Sequence, residues 1–485
     1  MKLLVIGLDG GDRDIINSMD MPCLQKLLQE RVSVPIKEDL WSRGWSEIAT
    51  GLHGRETGAF YEKPKLDGTT DFAQSYKIND YYKVPNCVPL WDKLSDLGKT
   101  VGFLNLPTTL PAPKVSGFFI SGAGSGYSPA SRVPEVACYP KEIYDLLLEE
   151  NFIWEQRFRV SGIQNLDYFI DRCTQAVIKR TKVFSRLSKK YSIDFGFLMH
   201  KEFTIITNLL MIEIQSILDN NGQLKNSIQR RIAEFYRVLD DFVYVAINQL
   251  QPEHIMIVSD HSARPYRHSL NLNAFLKDND ILKTSSSDSK KSTSIRGKLS
   301  NLKKIAKSKF ASSENISNDN PFTESWHSIR KINYKQSVAF SNRYVPGIYL
   351  NDHRFLSLVE EADKKNLTNQ MIDLFNASAE AKKYNMSAIP YRKSYQDSLA
   401  EPYLPDIWIN LPETVYPEAK GDFIQKNPYW KRFNSLEFVH KDVMTGLKGR
   451  NALCSVEEDF LDEDALEQEN DLTIAYHLIC NHFQK

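Results

Sequence analysis

The sequence predicts an α/β fold, a three-layer sandwich with a mostly parallel central sheet and a helical insertion. Short apolar runs at residues 2–8 and 254–258 each end in polar or glycine residues. Such runs are typical of strands buried on both faces of a parallel sheet. Segments with apolar residues at helical spacing alternate with these runs, as in layered α/β proteins. The length of 485 residues suffices for one large domain with insertions.

The other predicted elements continue this alternation along the chain. Helical spacing predicts helices near residues 21–28, 43–52, 89–98 and 472–482, and glycines mark the ends of the second and third. Residues 139–250 are predicted to be mostly helical. Further strands are predicted at residues 99–107, 117–122, 195–199, 337–340 and 347–350.

Changes in composition suggest how the chain is divided. We expect a core formed by residues 1–138, 190–282 and 330–485, with a helical cap inserted at 139–189. Residues 283–320 form a second insertion, rich in Ser and Lys. Nine basic residues and one acid lie between Lys283 and Lys309. This segment is interpreted either as a flexible, solvated insertion or as a basic amphipathic helix in weak contact with an anionic membrane.

Overall composition excludes several classes of function. Lys and Arg total 61, as do Asp and Glu, so the net charge is zero and no specific nucleic-acid partner is indicated. The six cysteines contain no CxxC pair, which favours reduced thiols in the cytoplasm over a disulfide framework or a structural zinc site. No long uncharged apolar segment predicts a membrane span.

Polar residues stand where two of the predicted strands end. Asp9 follows the first strand, and Asp260 and His261 follow the strand that begins at His254. In such sheets ligands bind beyond the carboxyl ends of the strands. Two carboxylates and an imidazole suit one divalent metal ion, Zn or Mn. Each of these residues could instead cap a helix or form a turn.

Several short stretches occur in an order known from one superfamily. They are residues 5–10 (Val-Ile-Gly-Leu-Asp-Gly), 45–51, 88–94, 98–107, 258–261 (Val-Ser-Asp-His), 271–276, 339–340 and 347–350. In these stretches the chain resembles the alkaline phosphatase superfamily, specifically its phosphohydrolase/phosphomutase and type I phosphodiesterase branch. The resemblance covers nearly the whole chain outside residues 283–320 and the acidic stretch after residue 456.

The resemblance implies a phosphoryl-transfer site with two metal ions and a Thr or Ser nucleophile. One metal site would consist of Asp9, Asp260 and His261. At the second site the alignment places Thr204 and Asn208 where the family has Asp and His. The resemblance therefore implies a single-metal arrangement, similar to that of phosphoglycerol and phosphoethanolamine transferases.

The family nucleophile falls on Trp41, which has no nucleophilic atom. The adjacent Ser42 is either the nucleophile, with Arg43 binding the phosphate, or the N-cap of the following helix. His200, alone at a strand end, is either structural or substrate-binding. The other candidate substrate-binding residues are Arg264, His268 and His440.

Two hypotheses about function follow. The first is a cytoplasmic, metal-dependent phosphohydrolase or phosphotransferase that acts on a phosphate ester, with a phosphodiester preferred because one ion suits the lower charge. The second is a catalytically degenerate member of the superfamily that binds phosphorylated ligands or serves as a scaffold. An exposed Ser42 hydroxyl facing the metal would favour the enzyme, whereas Trp41 in that place would favour the binding protein.

Overall fold

The computed structural model describes residues 1–73, 76–122, 133–154, 163–284, 329, 331–392, 398–431, 433, 436, 439–440, 443–461 and 470–484. The strands of this part of the chain are β1 (Leu3–Leu8), β2 (Val32–Ser33), β3 (Lys63–Pro64), β4 (Phe72–Ala73), β5 (Val101–Leu106), β6 (Gly117–Ser121), β7 (Cys138–Tyr139), β8 (Ile163–Gln164), β9 (Phe195–His200), β10 (His254–Val258), β11 (Ser262–Pro265), β12 (His268–Leu270), β13 (Ala339–Phe340), β14 (Gly347–Leu350), β15 (Ser387–Pro390), β16 (Ile407–Asn410), β17 (Val415–Pro417), β18 (Ile424–Lys426), β19 (Val439–His440), β20 (Gly446–Gly449) and β21 (Cys454–Val456).

The described helices vary from single turns to seven turns. They are α1 (Arg13–Ser18), α2 (Pro22–Glu30), α3 (Gly44–Thr50), α4 (Gly54–Thr57), α5 (Ile78–Tyr81), α6 (Leu90–Asp96), α7 (Ile143–Glu149), α8 (Leu166–Tyr191), α9 (Glu202–Leu218), α10 (Ser227–Leu250), α11 (Leu272–Asp278), α12 (Glu361–Ala377), α13 (Ala379–Lys383) and α14 (Thr473–Gln484). Short 3-10 turns lie at Glu135–Ala137, Tyr334–Gln336, Glu401–Tyr403 and Glu458–Phe460.

An eight-stranded sheet forms the centre of the fold, in the order β2-β21-β10-β1-β9-β5-β6-β7. The five strands from β10 to β6 in this order run parallel, and antiparallel pairs complete both edges. Strand β1 pairs with β10 on one side and β9 on the other, so its backbone is enclosed. The predicted mostly parallel sheet is confirmed.

Helices cover both faces of this sheet. Leu4, Ile6 and Leu8 of β1 belong to a core shared with α1, α2, α8, α9 and α10. Leu3 and Val5 point to the opposite core, which α3, α6 and α14 complete. Alternate residues of a strand face opposite sides of a sheet, so the continuous apolar run of β1 meets both helical layers. The predicted three-layer arrangement follows from this.

A smaller antiparallel sheet stands beside the sandwich. Its order is β13-β14-β16-β15, and it packs with α11 and α12 around a third apolar core. Trp41 and Phe60, from the segment that flanks α3, belong to this core. The smaller sheet therefore borders the segment where the nucleophile was expected.

The predicted insertions are described only in part. Residues 285–328 lie outside the described chain, and with them nearly all of the basic segment proposed to contact a membrane. In the segment predicted as a cap, α8 packs along α10 and against β5, β6 and β9. The division into a core and insertions stays a prediction. Within the described residues, no helix combines the length and apolar character needed to cross a bilayer.

Truncation of the central strand tests the packing of the sheet. Leu4 is fully buried between its neighbours Ile255 and Gly196 on β10 and β9, whereas Leu148 is 46% exposed. We expect Leu4→Ala to lower the free energy of unfolding by about 2–5 kcal/mol, because it leaves a cavity in the core. Leu148→Ala, the same change on the surface, should cost about 0.5 kcal/mol or less. Equal losses in urea unfolding would contradict the described packing.

Candidate metal centre

Three polar side chains meet at the carboxyl ends of β1 and β10. Asp9 directly follows β1, while Asp260 and His261 follow β10 after one intervening residue. The Nε2 atom of His261 lies 3.6 Å from Asp9 Oδ1 and 3.6 Å from Asp260 Oδ1. All three side chains are buried, and one ligand atom from each lies within 4.8 Å of the others. The structure thus brings together the three residues that the sequence pattern selected.

Hydrogen bonds hold each of the three side chains in orientation. The indole N–H of Trp45 donates to Asp9 Oδ2 over 3.1 Å, and the backbone N–H of Gly10 donates to Asp260 Oδ1 over 3.3 Å. His261 Nδ1 donates to the carbonyl oxygen of Ser262 over 2.6 Å. A carbonyl only accepts, so this bond assigns the proton to Nδ1 and directs Nε2 towards the carboxylates.

This donor set fits a divalent cation. Nε2 faces two buried carboxylates, and either a proton on Nε2 or a divalent cation among the three atoms would supply the positive charge that this arrangement needs. Metal-binding histidines commonly donate their other ring N–H to a carbonyl, as His261 does. Two carboxylate oxygens and one imidazole nitrogen are suitable ligands for Zn or Mn.

Gly10 allows the close approach of the elements around this centre. Its φ angle is +69°, and a Cβ added there would lie 2.8 Å from Thr204 Oγ1 and 3.0 Å from the His261 ring. A side chain would therefore collide with α9 and with the candidate ligand. The positive φ angle and the lack of space for a Cβ both require glycine at this position.

The charges at the centre influence one another strongly. Burial raises the pKa of Asp260, and the negative charge of Asp9 adds to that effect. Burial also opposes ionisation of Asp9, but His261, Lys201 and Lys448 outweigh it, and the net pKa is lowered. Two adjacent buried carboxylates resist joint ionisation, so a cation bound between them would stabilise the doubly ionised form.

A cavity of about 560 Å³ opens from the three residues. Four carboxylates line it, Asp9, Asp39, Asp260 and Glu413, and four cations, Arg43, Lys201, Lys448 and Arg450. Apolar and aromatic residues also line it, among them Trp41, Trp408, Ile409, Leu411, Pro412 and Val415. Cavities of this size and mixed lining are typical of sites for small organic ligands.

Ser42 does not occupy the N-cap position of α3, which belongs to Arg43. The Ser42 hydroxyl donates to Asp39 Oδ2 over 2.9 Å and packs against Gly54, and Ser42 does not line the cavity. Trp41 lines the cavity instead, with its ring stacked 3.9 Å from Phe60. The structure therefore does not bring the Ser42 hydroxyl to the three candidate ligands.

Arg43 does face the cavity, as a phosphate-binding side chain would. Its Nε donates to the carbonyl oxygen of Phe60 over 2.9 Å, and its guanidinium lies 4.9 Å from the centre of the Tyr61 ring. Burial lowers the pKa of Arg43, although guanidinium groups in proteins remain protonated. The helix that follows, α3, has only seven residues.

The other candidate substrate-binding residues lie in three different strands, and Arg264 contacts Glu413, which lines the cavity. Arg264 forms ion pairs with Asp12 and Glu413, at 2.9 and 2.5 Å. His268 lies in β12, with its ring 4.9 Å from that of Tyr384. His440 lies in β19, whose backbone pairs with β8. Neither Arg264 nor His268 is among the residues that line the described cavity.

A second group of histidine and carboxylates lies at the opposite end of β10. His254 Nδ1 is 2.6 Å from Glu457 Oε2 and 3.9 Å from an oxygen of Asp459. Arg31 pairs with the other oxygen of Glu457 over 2.9 Å. These contacts form an ion-pair network, which accounts for the arrangement without a metal ion.

Sequence reasoning missed several residues of the centre. Lys448 lies 3.6 Å from Asp260 Oδ2 and hydrogen-bonds to the hydroxyl of Tyr61. Lys201 lines the same cavity. Lys201 directly follows β9, the parallel neighbour of β1, so its strand-end position was the available signal. Lys448 belongs to no motif and reaches the centre from a distant segment of the chain. Trp45 falls within the helix predicted near residues 43–52, and its bond to Asp9 could not be inferred from helical spacing.

Comparisons with known proteins identify the fold. No protein-family model matches the chain, and no curated protein matches it as a relative in sequence. Phosphonoacetate hydrolase from Sinorhizobium meliloti 1021, in complexes with phosphonoformate and with phosphonoacetate, has a TM-score of 0.54 at 10% and 11% identity. The match covers 100% of this chain and 96% of the hydrolase. Murine ectonucleotide pyrophosphatase/phosphodiesterase 5 in complex with AMP has a TM-score of 0.49 at 12% identity, over 100% and 95% of the two chains.

Phosphonoacetate hydrolase is a member of the alkaline phosphatase superfamily. At this level of identity the likeness concerns architecture alone. The chain has the alkaline phosphatase-like fold, as the resemblance of its sequence implied.

His200 gives a prediction about stability and pH. It is fully buried beside the centre, and burial together with Arg180 lowers its pKa from 6.5 to about 3. Below pH 6.5 the unfolded chain therefore binds a proton that the folded chain does not, so stability falls by up to about 1.4 kcal/mol per pH unit. His200→Leu should have a shallower decrease between pH 6.5 and 5 in urea unfolding, and an unchanged slope would contradict the assignment.

Proposed function

We propose that this protein is a single-metal phosphohydrolase or phosphotransferase acting on a phosphate ester, with Zn or Mn held by Asp9, Asp260 and His261. The main observation that supports the metal site is the position of His261 Nε2, which lies 3.6 Å from each of two buried carboxylates. The other ring nitrogen, Nδ1, donates to a carbonyl oxygen. A divalent cation among these three atoms would balance the charge of the two carboxylates. The six cysteines form no disulfide, in agreement with a cytoplasmic protein.

The metal ligands and the cavity residues would have different roles in the reaction. A divalent ion held by the three side chains would supply Lewis-acid activation of a phosphoryl oxygen. Trp45 and the Gly10 N–H keep the two carboxylates in place, and Arg43 contributes positive charge at the cavity wall. Fixed charges of this kind stabilise the charge that develops during phosphoryl transfer.

The position of Ser42 favours attack by water over attack by its hydroxyl. That hydroxyl is engaged by Asp39, and Ser42 lies outside the cavity lining. A covalent route through Ser42 would require its side chain and the preceding Trp41 to rearrange together. We therefore assign Ser42 to the support of the segment before α3, where it bonds to Asp39 through both its side chain and its backbone.

The shape of the cavity supports the preference for a phosphodiester. Its volume of about 560 Å³ exceeds the needs of a phosphate group alone. The apolar residues of the lining, among them Trp41 and Trp408, could accommodate an organic substituent. A diester has two such substituents and one negative charge, which suits a site with a single ion.

One observation favours the second function, a protein that binds phosphorylated ligands without turnover. Trp41 lies in the cavity, and the Ser42 hydroxyl is turned away from the candidate ligands. Such a protein would keep phosphate affinity and the metal site while lacking hydrolysis. Binding and turnover must therefore be measured on the same preparation.

Asp260→Asn tests the proposed enzyme. With Zn or Mn added separately, we expect the wild type to hydrolyse a chromogenic phosphodiester faster than the matching monoester. Asp260→Asn should lower this turnover at least about 100-fold, because loss of a ligand should cost no less than loss of its supporting contacts. Ser42→Ala should keep most of the activity.

Asp67→Asn is the matched control, since it makes the same chemical change at an exposed residue. It should behave as the wild type. Turnover that survives Asp260→Asn would contradict the proposed centre. Turnover lost in Ser42→Ala, with metal binding intact, would restore Ser42 as the nucleophile. Phosphate binding without turnover under either metal would favour the ligand-binding alternative.

A further inference from the structure

Lys448 enters the centre from a strand of fixed position. Strand β20 pairs antiparallel with β11, and Lys448 is opposite Ala263, two residues after His261. A Cβ added at Gly449 would lie 2.3 Å from Ser262 Oγ, and one added at Gly446 would lie 2.4 Å from the Thr207 carbonyl oxygen. These close approaches leave β20 little freedom to shift, so its backbone places the Lys448 side chain at the candidate metal centre.

The ammonium group of Lys448 has one acidic partner and one neutral partner. Its Nζ lies 3.6 Å from Asp260 Oδ2, donates to the Tyr61 hydroxyl, and lies 4.0 Å from the centre of the Tyr61 ring. Desolvation raises the pKa of Tyr61 to about 12, so that this hydroxyl stays neutral near pH 7. A third of the lysine side chain remains exposed, and the residue lines the cavity. The group can therefore contact a ligand in the cavity.

The charge balance at the centre changes when a metal ion binds. Without an ion, Lys448 partly compensates the carboxylates of Asp260 and Asp9. A divalent ion would neutralise these two carboxylates and repel an ammonium group 3.6 Å from Asp260. The long, flexible lysine stem allows Nζ to turn away from Asp260 while the Tyr61 hydroxyl stays within reach. The ammonium would then face the cavity, where an anionic ligand is expected.

We propose that Lys448 opposes metal binding at Asp260 and binds a phosphoryl oxygen once a metal ion is present. This inference rests on the proposed metal site and adds to it a specific role for one side chain. Arg43, Lys201 and Arg450 also bring positive charge to the cavity lining, but the contact of Lys448 with Asp260 couples its charge to a candidate metal ligand. Lys448 is thus a residue for anion binding and for control of metal affinity.

The proposal predicts opposite effects of one substitution on two ligands. Lys448→Met keeps most of the apolar stem and removes the charge. By isothermal titration calorimetry, Mn²⁺ or Zn²⁺ should bind this variant about 3- to 10-fold more tightly than the wild type, because a competing cation is lost. Inorganic phosphate should bind the metal-loaded variant about 10- to 100-fold more weakly, the usual cost of a lost charge-assisted hydrogen bond.

Two further variants separate this role from a structural one. Lys448→Arg should recover part of the phosphate affinity, since it restores the positive charge. Lys141→Met, at a lysine whose side chain is 85% exposed, should change neither affinity. Thermal unfolding of each variant shows whether the fold is kept. A purely structural role of Lys448 would weaken metal and phosphate binding together.

The outcomes distinguish this inference from the proposed function. Metal binding that is lost in Asp260→Asn but equal in wild type and Lys448→Met would support the centre and overturn the role of Lys448. A joint decrease of both affinities in Lys448→Met would also overturn it. A wild type that binds neither metal would overturn the proposed centre and, with it, the competition at Asp260.

Discussion

The parallel pairing of β1 with β10 is the constraint on which the centre depends. It places the ends of two buried strands side by side, with Asp9 after one and the Asp260-His261 pair after the other. The two carboxylates and the imidazole therefore share a small volume with little water. Repulsion between the carboxylates disfavours this arrangement unless positive charge is supplied. The neighbouring lysines, and the metal ion that we propose, provide that charge.

Three other elements of the fold place residues at the centre or in its cavity. Helix α3 contributes Trp45, whose indole N–H fixes Asp9. The Gly10 turn permits α9 to approach closely enough for Thr204 to line the cavity. Strand β20 contributes Lys448 from a segment almost 190 residues beyond Asp260 in the sequence. The cavity is completed by the smaller antiparallel sheet, which adds Trp408 and its apolar neighbours.

The fold, and the proximity of the three candidate ligands, could be predicted from sequence because both depend on local patterns. The apolar run before Asp9 and the one before Asp260 indicate parallel strands, and the ends of such strands meet at one edge. Side-chain direction in the segment before α3 depends on tertiary contacts instead. Ser42 follows Trp41 in sequence, but the packing of Trp41 on Phe60 and the bond of Ser42 to Asp39 decide which residue faces the cavity. The position of Lys448 and the ion pairs of Arg264 could not be predicted for the same reason, since each depends on partners far away in the chain.

The most direct test of the proposed centre is anomalous diffraction from crystals soaked in Zn²⁺ or Mn²⁺, measured at the absorption edge of the metal. We predict one strong peak at about 2.0–2.2 Å from Asp9, Asp260 and His261, the range expected for zinc ligands. Absence of a peak there in a protein saturated with metal, or a peak bound by other residues, would contradict the account.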